Sequence, residues 1–137
     1  METGSATCDT SVLVSALASW HPRHDETRDI LAARVDAIPA HVLLECYSVL
    51  TRLPAPHRVA AAVAGEVLDQ LELPLLTLPA SRHRTLVTAM ARAGLRGGAV
   101  YDAVVGATAL HHGRRLLTVD RRARTTYEVV GAGYEFV

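Results

Sequence analysis

Four acidic residues lie at positions suited to chemistry rather than to an ordinary charged surface. Asp9 and Asp120 each follow a short apolar stretch that predicts a buried strand, and each precedes the expected start of a helix. Asp102 lies in the first turn of a small-residue helix predicted from Val100 to His112, which is apolar nearly all round and is therefore expected to be buried. Glu45 lies in the second turn of another helix. Ligands of open parallel sheets bind at the carboxyl ends of the strands, so the four carboxylates could meet in one crevice.

Convergence of these carboxylates would decide the chemistry of the site. Two carboxylates about 5 Å apart repel by about 3 kcal/mol at an effective dielectric constant of about 20, so four of them need protonation or a cation. An oxygen-only ligand set with no His or Cys cluster favours a hard ion, Mg²⁺ or Mn²⁺. Such an ion activates water and stabilises the charge on a phosphodiester under attack. We therefore expect metal-dependent phosphodiester hydrolysis.

Each acidic residue also has a simpler interpretation. The two strand-end aspartates could be ordinary helix N-caps, and Asp102 could be a first-turn partner of the helix dipole. Glu45 could be a surface residue paired with His41 or Arg52 of its own helix. Only the joint placement of the four acids favours a common site.

The composition indicates one folded domain over residues 1–137, since half of the residues are hydrophobic and 20% are charged. All 14 basic residues are arginine, which excludes Walker A ATPases and Schiff-base enzymes because these need a lysine. The net charge is zero but uneven: residues 1–74 hold 10 acids and 5 arginines, and residues 75–137 hold 4 acids and 9 arginines. The arginine-rich half could favour an anionic substrate, or it could be an ordinary mixed-charge surface.

The cysteines and the first residues predict a cytoplasmic protein without a membrane span. Cys8 and Cys46 have neither a metal-binding spacing nor a disulfide framework, so we expect small core residues in a reducing compartment. Strand alternation directs Cys8 away from Asp9, which argues against a disulfide between the two cysteines. Glu2 near the start does not fit a secretory signal, and the uncharged run of residues 10–22 is too short to cross a bilayer.

Short apolar stretches alternate with helical patterns along the whole chain, which indicates an α/β fold with a mainly parallel sheet. The predicted strands cover residues 6–8, 37–39, 75–78 (a buried strand), 116–119 and 134–136 (an edge strand). The first predicted helix begins at residue 10, the second ends near residue 34 and the third ends at Pro54. The fourth follows Pro56 and runs to about Leu71, and the last three cover residues 81–93, 100–112 and 121–130.

In this order the acidic segments resemble those of PIN-domain ribonucleases, and specifically the VapC toxins of type II toxin–antitoxin systems. The matching segments are residues 9–14 (DTSVLV), Glu45 in the helix after the second strand, residues 101–103 (YDA) and residues 117–123 (LTVDRRA). They cover nearly the whole chain. The resemblance implies a three-layer α/β/α sandwich with a mainly parallel central sheet and an acidic pocket that binds Mg²⁺ or Mn²⁺.

The resemblance also implies roles for individual residues. Asp9, Glu45, Asp102 and Asp120 would be the catalytic residues, with Asp9 and Asp102 as the leading metal ligands. The other two acids would complete the pocket, directly or through water, and help to orient the attacking water.

Substrate contacts are implied close to the last acid of the set. Thr118 matches a hydroxyl position common beside this acid, and Arg121 and Arg122 belong to an arginine-rich rim that could bind phosphates. Ordinary surface charge is the other interpretation of the rim. Val119 and Arg121 flank Asp120 where some family members carry a further acid, which argues against a complete second metal site.

Family members act as metal-dependent endoribonucleases, so the resemblance implies cleavage of RNA phosphodiester bonds by the toxin of a VapBC-type pair. It further implies a homodimer and inhibition by a cognate VapB-like antitoxin. The alternative is a catalytically silent PIN-like module that binds RNA or a protein partner. The intact acid set favours the enzyme.

Overall fold

The structure, a computed structural model, describes residues 5–137. Within these residues there are five strands and seven helices, and one or two helices follow each strand except the last. The strands are β1 (Ala6–Cys8), β2 (Ile38–Pro39), β3 (Leu75–Leu76), β4 (Arg115–Thr118) and β5 (Tyr134–Phe136). The helices are α1 (Thr10–Leu17), α2 (His24–Arg34), α3 (Ala40–Arg52), α4 (Ala61–Asp69), α5 (His83–Ala93), α6 (Ala99–His111) and α7 (Arg124–Val130), with 3₁₀ turns at Ala80–Arg82 and Arg121–Ala123.

Every strand pairing is parallel, as the sequence predicts. β4 lies between β1 and β5, and β2 pairs with β3. A bridge between Ala6 and Val35 joins the two groups of strands, and the Thr7 hydroxyl donates to the carbonyl of Ala37 at 2.8 Å. Cys8 pairs with Leu117, so β1 and β4 end side by side. This register places the residues that follow both strands at one edge of the sheet.

The helices form two groups around the sheet, which confirms the three-layer α/β/α architecture. In the first group α1 packs on α2 and α3, and α4 packs on α3. In the second group α5, α6 and α7 pack on one another. Fully buried side chains from α1, β4 and α7, such as Leu13, Leu117 and Tyr127, share one apolar core.

Three predicted elements need correction. The buried strand predicted over residues 75–78 is only two residues long, and Leu75 is 48% exposed because β3 lies at the edge of the sheet with β2 as its only partner. Helix α4 begins five residues after Pro56, because Val59 donates its backbone N–H to the carbonyl of Leu50 in α3. Helix α6 is not buried on every side, since Tyr101 is 51% exposed.

The structure also bears on the predictions for the two cysteines and for a membrane span. Cys8 and Cys46 are both buried and free of a disulfide, which confirms the expectation. Within residues 5–137, none of the helices combines the length and the apolar character that crossing a bilayer requires.

Candidate active site

Asp9 is held at the end of β1 by contacts on every side. Its backbone N–H donates to the carbonyl of Leu117 at 3.1 Å, so β4 fixes its position. Its side chain is the N-cap of α1: Oδ1 accepts from the Val12 N–H at 3.3 Å and from the Ser11 hydroxyl at 2.5 Å. The Tyr127 hydroxyl donates to Oδ2 at 2.7 Å. Asp9 therefore is a helix cap, and it also presents a buried carboxylate at the sheet edge.

Burial makes the charged form of Asp9 costly. The residue is 4% exposed, and loss of solvation raises the pKa of its carboxyl above the ordinary value. Hydrogen bonds from Ser11, Thr118 and Tyr127 oppose this rise without cancelling it. A nearby positive charge would stabilise the ionised form.

Glu45 faces α1 rather than open solvent. The Thr10 hydroxyl donates to Glu45 Oε1 at 2.7 Å, and His41 Nε2 lies 3.9 Å from the same oxygen. Arg52 instead donates to the Ser48 hydroxyl at 3.2 Å. Of the simple partners predicted for Glu45, only His41 is within ion-pair distance. The hydrogen bond to Thr10 ties Glu45 to the residue that follows Asp9.

Asp120 and the end of β4 are joined to the end of β1 through Ser11. The Val119 N–H donates to Ser11 Oγ at 3.1 Å, and Thr118 Oγ1 lies 3.4 Å from this hydroxyl. Thr118 also accepts from the Asp120 N–H at 3.0 Å, while Asp120 Oδ1 accepts from the Arg122 N–H at 3.0 Å. Asp120 is therefore an N-cap, of a 3₁₀ turn, as the simpler interpretation predicts.

Asp102 shows that the four acids are neighbours. The pKa of its carboxyl is raised to about 6, first by loss of solvation and then by the charges of Glu45, Asp9 and Asp120, while the charge of Arg122 opposes the rise. Among residues 5–137 no donor forms a hydrogen bond with this carboxylate. The charges of the other three acids that the sequence singles out thus reach Asp102.

The donor chemistry of this cluster fits a hard divalent cation. Its ligands are carboxylate and hydroxyl oxygens, and Asp102 has both oxygens available. In the part of the chain described, no three His, Cys, Asp or Glu side chains are close enough to hold one ion together. Mg²⁺ is typically bound by one or two protein carboxylates, and water and substrate phosphate complete its coordination. Asp9 and Asp102 are enough for this mode of binding.

Comparison with known proteins places this geometry in a family. The family model described as "PIN domain" matches residues 6–129. The chain belongs to the PIN-domain family, and its relatives place it among the VapC-type members. It is 45% identical over 130 residues to "Ribonuclease VapC40" of Mycobacterium tuberculosis (strains CDC 1551 / Oshkosh and H37Rv), covering 94% of this chain and 96% of that protein. It is 39% identical over 123 residues to "Ribonuclease VapC27" of strain H37Rv, covering 90% of each.

The arginine-rich rim of this PIN domain is dispersed. Arg114 and Arg124 form ion pairs with acidic side chains outside the acid cluster, and the Arg121 guanidinium lies 4.5 Å from the centre of the Phe136 ring. Arg122 alone of these four affects the pKa of Asp102, and its side chain is 94% exposed. Among these arginines, Arg122 is therefore the best candidate to bind a phosphate.

Sequence reasoning missed two residues that fix Asp9. Ser11 links the ends of β1 and β4, and its place two residues after Asp9 is a usable signal for a side-chain hydrogen bond. Tyr127 lies 118 residues from Asp9 along the chain and reads as an ordinary core residue of α7. Only the packing of α7 against β4 and α6 reveals its role.

Proposed function

We propose that this PIN domain is a Mg²⁺- or Mn²⁺-dependent endoribonuclease that hydrolyses RNA phosphodiester bonds. The observation that carries the proposal is the position of Asp102, a carboxylate without a hydrogen-bond donor whose pKa is raised by three other acids. Such an arrangement is stabilised by a divalent ion. The names of two similar proteins, both ribonucleases, point to RNA as the substrate.

Asp9 and Asp102 are the residues proposed to hold the ion. When bound, it supplies a water of lowered pKa and neutralises charge on the phosphate. Tyr127 and Ser11 hold Asp9 in one orientation, so its carboxylate is already positioned. Ser11 and Val12 donate to its Oδ1, and Tyr127 donates to its Oδ2.

Glu45 and Asp120 are proposed to orient the attacking water. Thr10 occupies Glu45 Oε1, so Oε2 is the oxygen that can accept a proton or a hydrogen bond from water. Asp120 Oδ1 likewise accepts from Arg122, so Oδ2 is the oxygen proposed to accept a hydrogen bond from the attacking water. The exposed Arg122 side chain is proposed to contact a substrate phosphate. The Thr118 hydroxyl is proposed to hold Asp120 in place by accepting from the Asp120 backbone N–H.

The VapC-type relatives extend the proposal to the biological role. We propose that the protein is the toxin of a VapBC-type pair, forms a homodimer and is inhibited by a VapB-like antitoxin. The two buried, unpaired cysteines fit a reducing cytoplasm, where RNA is available. Light scattering of the purified protein tests the homodimer, and co-purification of a VapB-like protein with it tests the antitoxin assignment.

The proposed activity is tested by incubating the purified protein with structured RNA and mapping new 5′ ends. We expect cleavage with Mg²⁺ or Mn²⁺, none with EDTA, and at least a hundredfold loss in Asp102→Asn. Asp69→Asn, an exposed acid on α4, is the matched control and should cleave like the wild type. Cleavage by Asp102→Asn at the wild-type rate would contradict the proposal, and a folded wild type that cleaves no RNA would favour the catalytically silent module.

A further inference from the structure

A cavity of about 430 Å³ opens at Glu45, on one side of the four acids. One wall is a face of α3 that carries His41, Glu45 and Arg52, and the other wall is the start of α6 with Tyr101. Both walls adjoin the four acids, because Glu45 is one of them and Tyr101 directly precedes Asp102 in the chain. A group bound in this cavity would therefore lie next to the reacting phosphate.

The walls carry a flat aromatic surface. The rings of His41 and Tyr101 are stacked with their centres 5.1 Å apart and their planes within 6° of parallel. Tyr101 remains 51% exposed although His41 covers part of it. A half-exposed aromatic ring at the mouth of a cavity is suited to stacking against another planar group.

Leu44 and two polar side chains line the rest of the α3 wall. Ser48 and Arg52 lie on the same face of α3, and the Arg52 guanidinium donates to the Ser48 hydroxyl at 3.2 Å. Arg52 keeps further N–H donors for a ligand. At Gly98 an added Cβ would meet no atom within 4 Å, so the opposite side is open. Aromatic stacking, hydrogen-bond donors and open space together match an unpaired nucleobase.

We propose that this cavity is the binding site for one unpaired base of the RNA, adjacent to the phosphate that is cleaved. The base stacks on Tyr101, and Ser48 and Arg52 offer donors to its edge. The inference rests on the proposed ribonuclease function and adds a source of specificity to it. The site selects RNA in which the nucleotide beside the cleaved bond is not paired.

The test measures cleavage of short single-stranded RNAs that are identical except for one abasic ribose, placed at each position in turn. We expect the wild type to show a KM raised about tenfold by one particular abasic position, because base–aromatic stacking contributes this much to binding. Tyr101→Ala should raise KM about tenfold on the intact RNA with little change in kcat. It should lose no further affinity at that abasic position, whereas Tyr101→Phe should behave like the wild type.

Tyr47→Ala is the matched control, since Tyr47 is an exposed tyrosine of the same helix α3 that lines a different cavity. It should leave KM unchanged. A wild type that cleaves RNA while Tyr101→Ala has an unchanged KM overturns the base site and leaves the proposed function standing. Unchanged cleavage together with weaker binding of a protein partner would assign the cavity to that partner and equally overturn the base site. A wild type that cleaves no RNA overturns both proposals.

Discussion

At the scale of single residues, the site is built at a cost in stability. Asp9 and Asp102 both have a raised pKa, and loss of solvation is the first cause in each case. A carboxyl whose pKa is raised in the folded protein opposes folding once it ionises. The acids that are proposed to bind metal are thus destabilising in its absence.

Replacing Asp102 by Asn should therefore stabilise the metal-free protein at neutral pH. The carboxyl of Asp102 has a pKa of about 6 against an ordinary 3.8. Its contribution to stability is full below pH 3.8 and is lost as the pH rises through 6. We expect Asp102→Asn to gain about 1 kcal/mol more over the wild type at pH 7.5 than at pH 4.5, after allowance for partial solvent screening.

Urea unfolding in EDTA at the two pH values measures this difference. Asp69→Asn, on the exposed side of α4, serves as the control and should show no such pH-dependent gain. An Asp102→Asn variant that is less stable than the wild type at pH 7.5 would show that this carboxylate is not under electrostatic strain.

Tyr127 should matter for stability through its hydroxyl. Tyr127→Phe removes the hydroxyl that donates to Asp9 Oδ2 at 2.7 Å and leaves a buried oxygen with one partner fewer. We expect the free energy of unfolding to fall by about 1–2 kcal/mol. Tyr134→Phe removes a comparable hydroxyl, which donates to Glu128 at 2.6 Å on the exposed surface, and should cost less than about 0.5 kcal/mol. Equal losses in chemical denaturation would contradict a special role for the Asp9 contact.

At the scale of elements, the close approach of α6 and α7 positions Asp102 relative to Asp9. A Cβ built on Gly106 of α6 would lie 2.8 Å from Val130 Cγ2 and 3.2 Å from Tyr127 Cδ1. Both neighbours are stiff, because one is β-branched and the other is a fully buried ring. The glycine therefore lets α6 approach the helix that supports Asp9.

Gly106→Ala should destabilise the protein by about 1–3 kcal/mol, since overpacking outweighs the gain in helix propensity. Gly65→Ala is the matched control: this glycine lies inside α4, and its added Cβ meets nothing within 4 Å. That change should stabilise the protein by up to about 1 kcal/mol. Thermal unfolding of both variants gives the comparison, and a Gly106→Ala protein at least as stable as the wild type would refute the packing argument.

Most elements could be predicted because local signals agree with the fold. Asp9 after an apolar triplet marks both the end of β1 and the start of α1. The small residues of α6 indicate close packing against neighbouring elements. The prediction for residues 75–78 is wrong because apolar periodicity does not say whether a strand is central or at an edge. The start of α4 is missed because a tertiary hydrogen bond from Val59 to Leu50 holds the chain out of the helix.

At the scale of the whole molecule, the sequence predicts which acids matter but not what supports them. Strand order brings Asp9 and Asp120 to one edge, and this follows from general rules of parallel sheets. Thr10, Ser11 and Tyr127 join pieces of chain 35 to 118 residues apart, and no local pattern encodes such contacts. The ion pair between Arg114 and Asp36, which are far apart along the chain, is likewise absent from any local pattern.

The closed core should also protect both thiols. Burial raises the pKa of Cys8 well above its ordinary value and that of Cys46 to about 12. We expect the native protein at pH 8 to react with a disulfide reagent at least a hundredfold more slowly than the unfolded protein, which should titrate as two free thiols. Rapid reaction of native protein, or fewer than two thiols after unfolding without reductant, would contradict the structure of the core.

The central claim is that Asp9 and Asp102, distant in sequence, hold one divalent cation beside Glu45 and Asp120, and calorimetric titration with Mn²⁺ tests it most directly. Wild-type protein should bind Mn²⁺, Asp9→Asn and Asp102→Asn should lose at least tenfold in affinity, and Glu45→Gln and Asp120→Asn should lose less. Glu66→Gln, an exposed acid on α4, should bind like the wild type. A wild type that binds no Mn²⁺, or an Asp102→Asn variant that binds it with unchanged affinity, would contradict the claim.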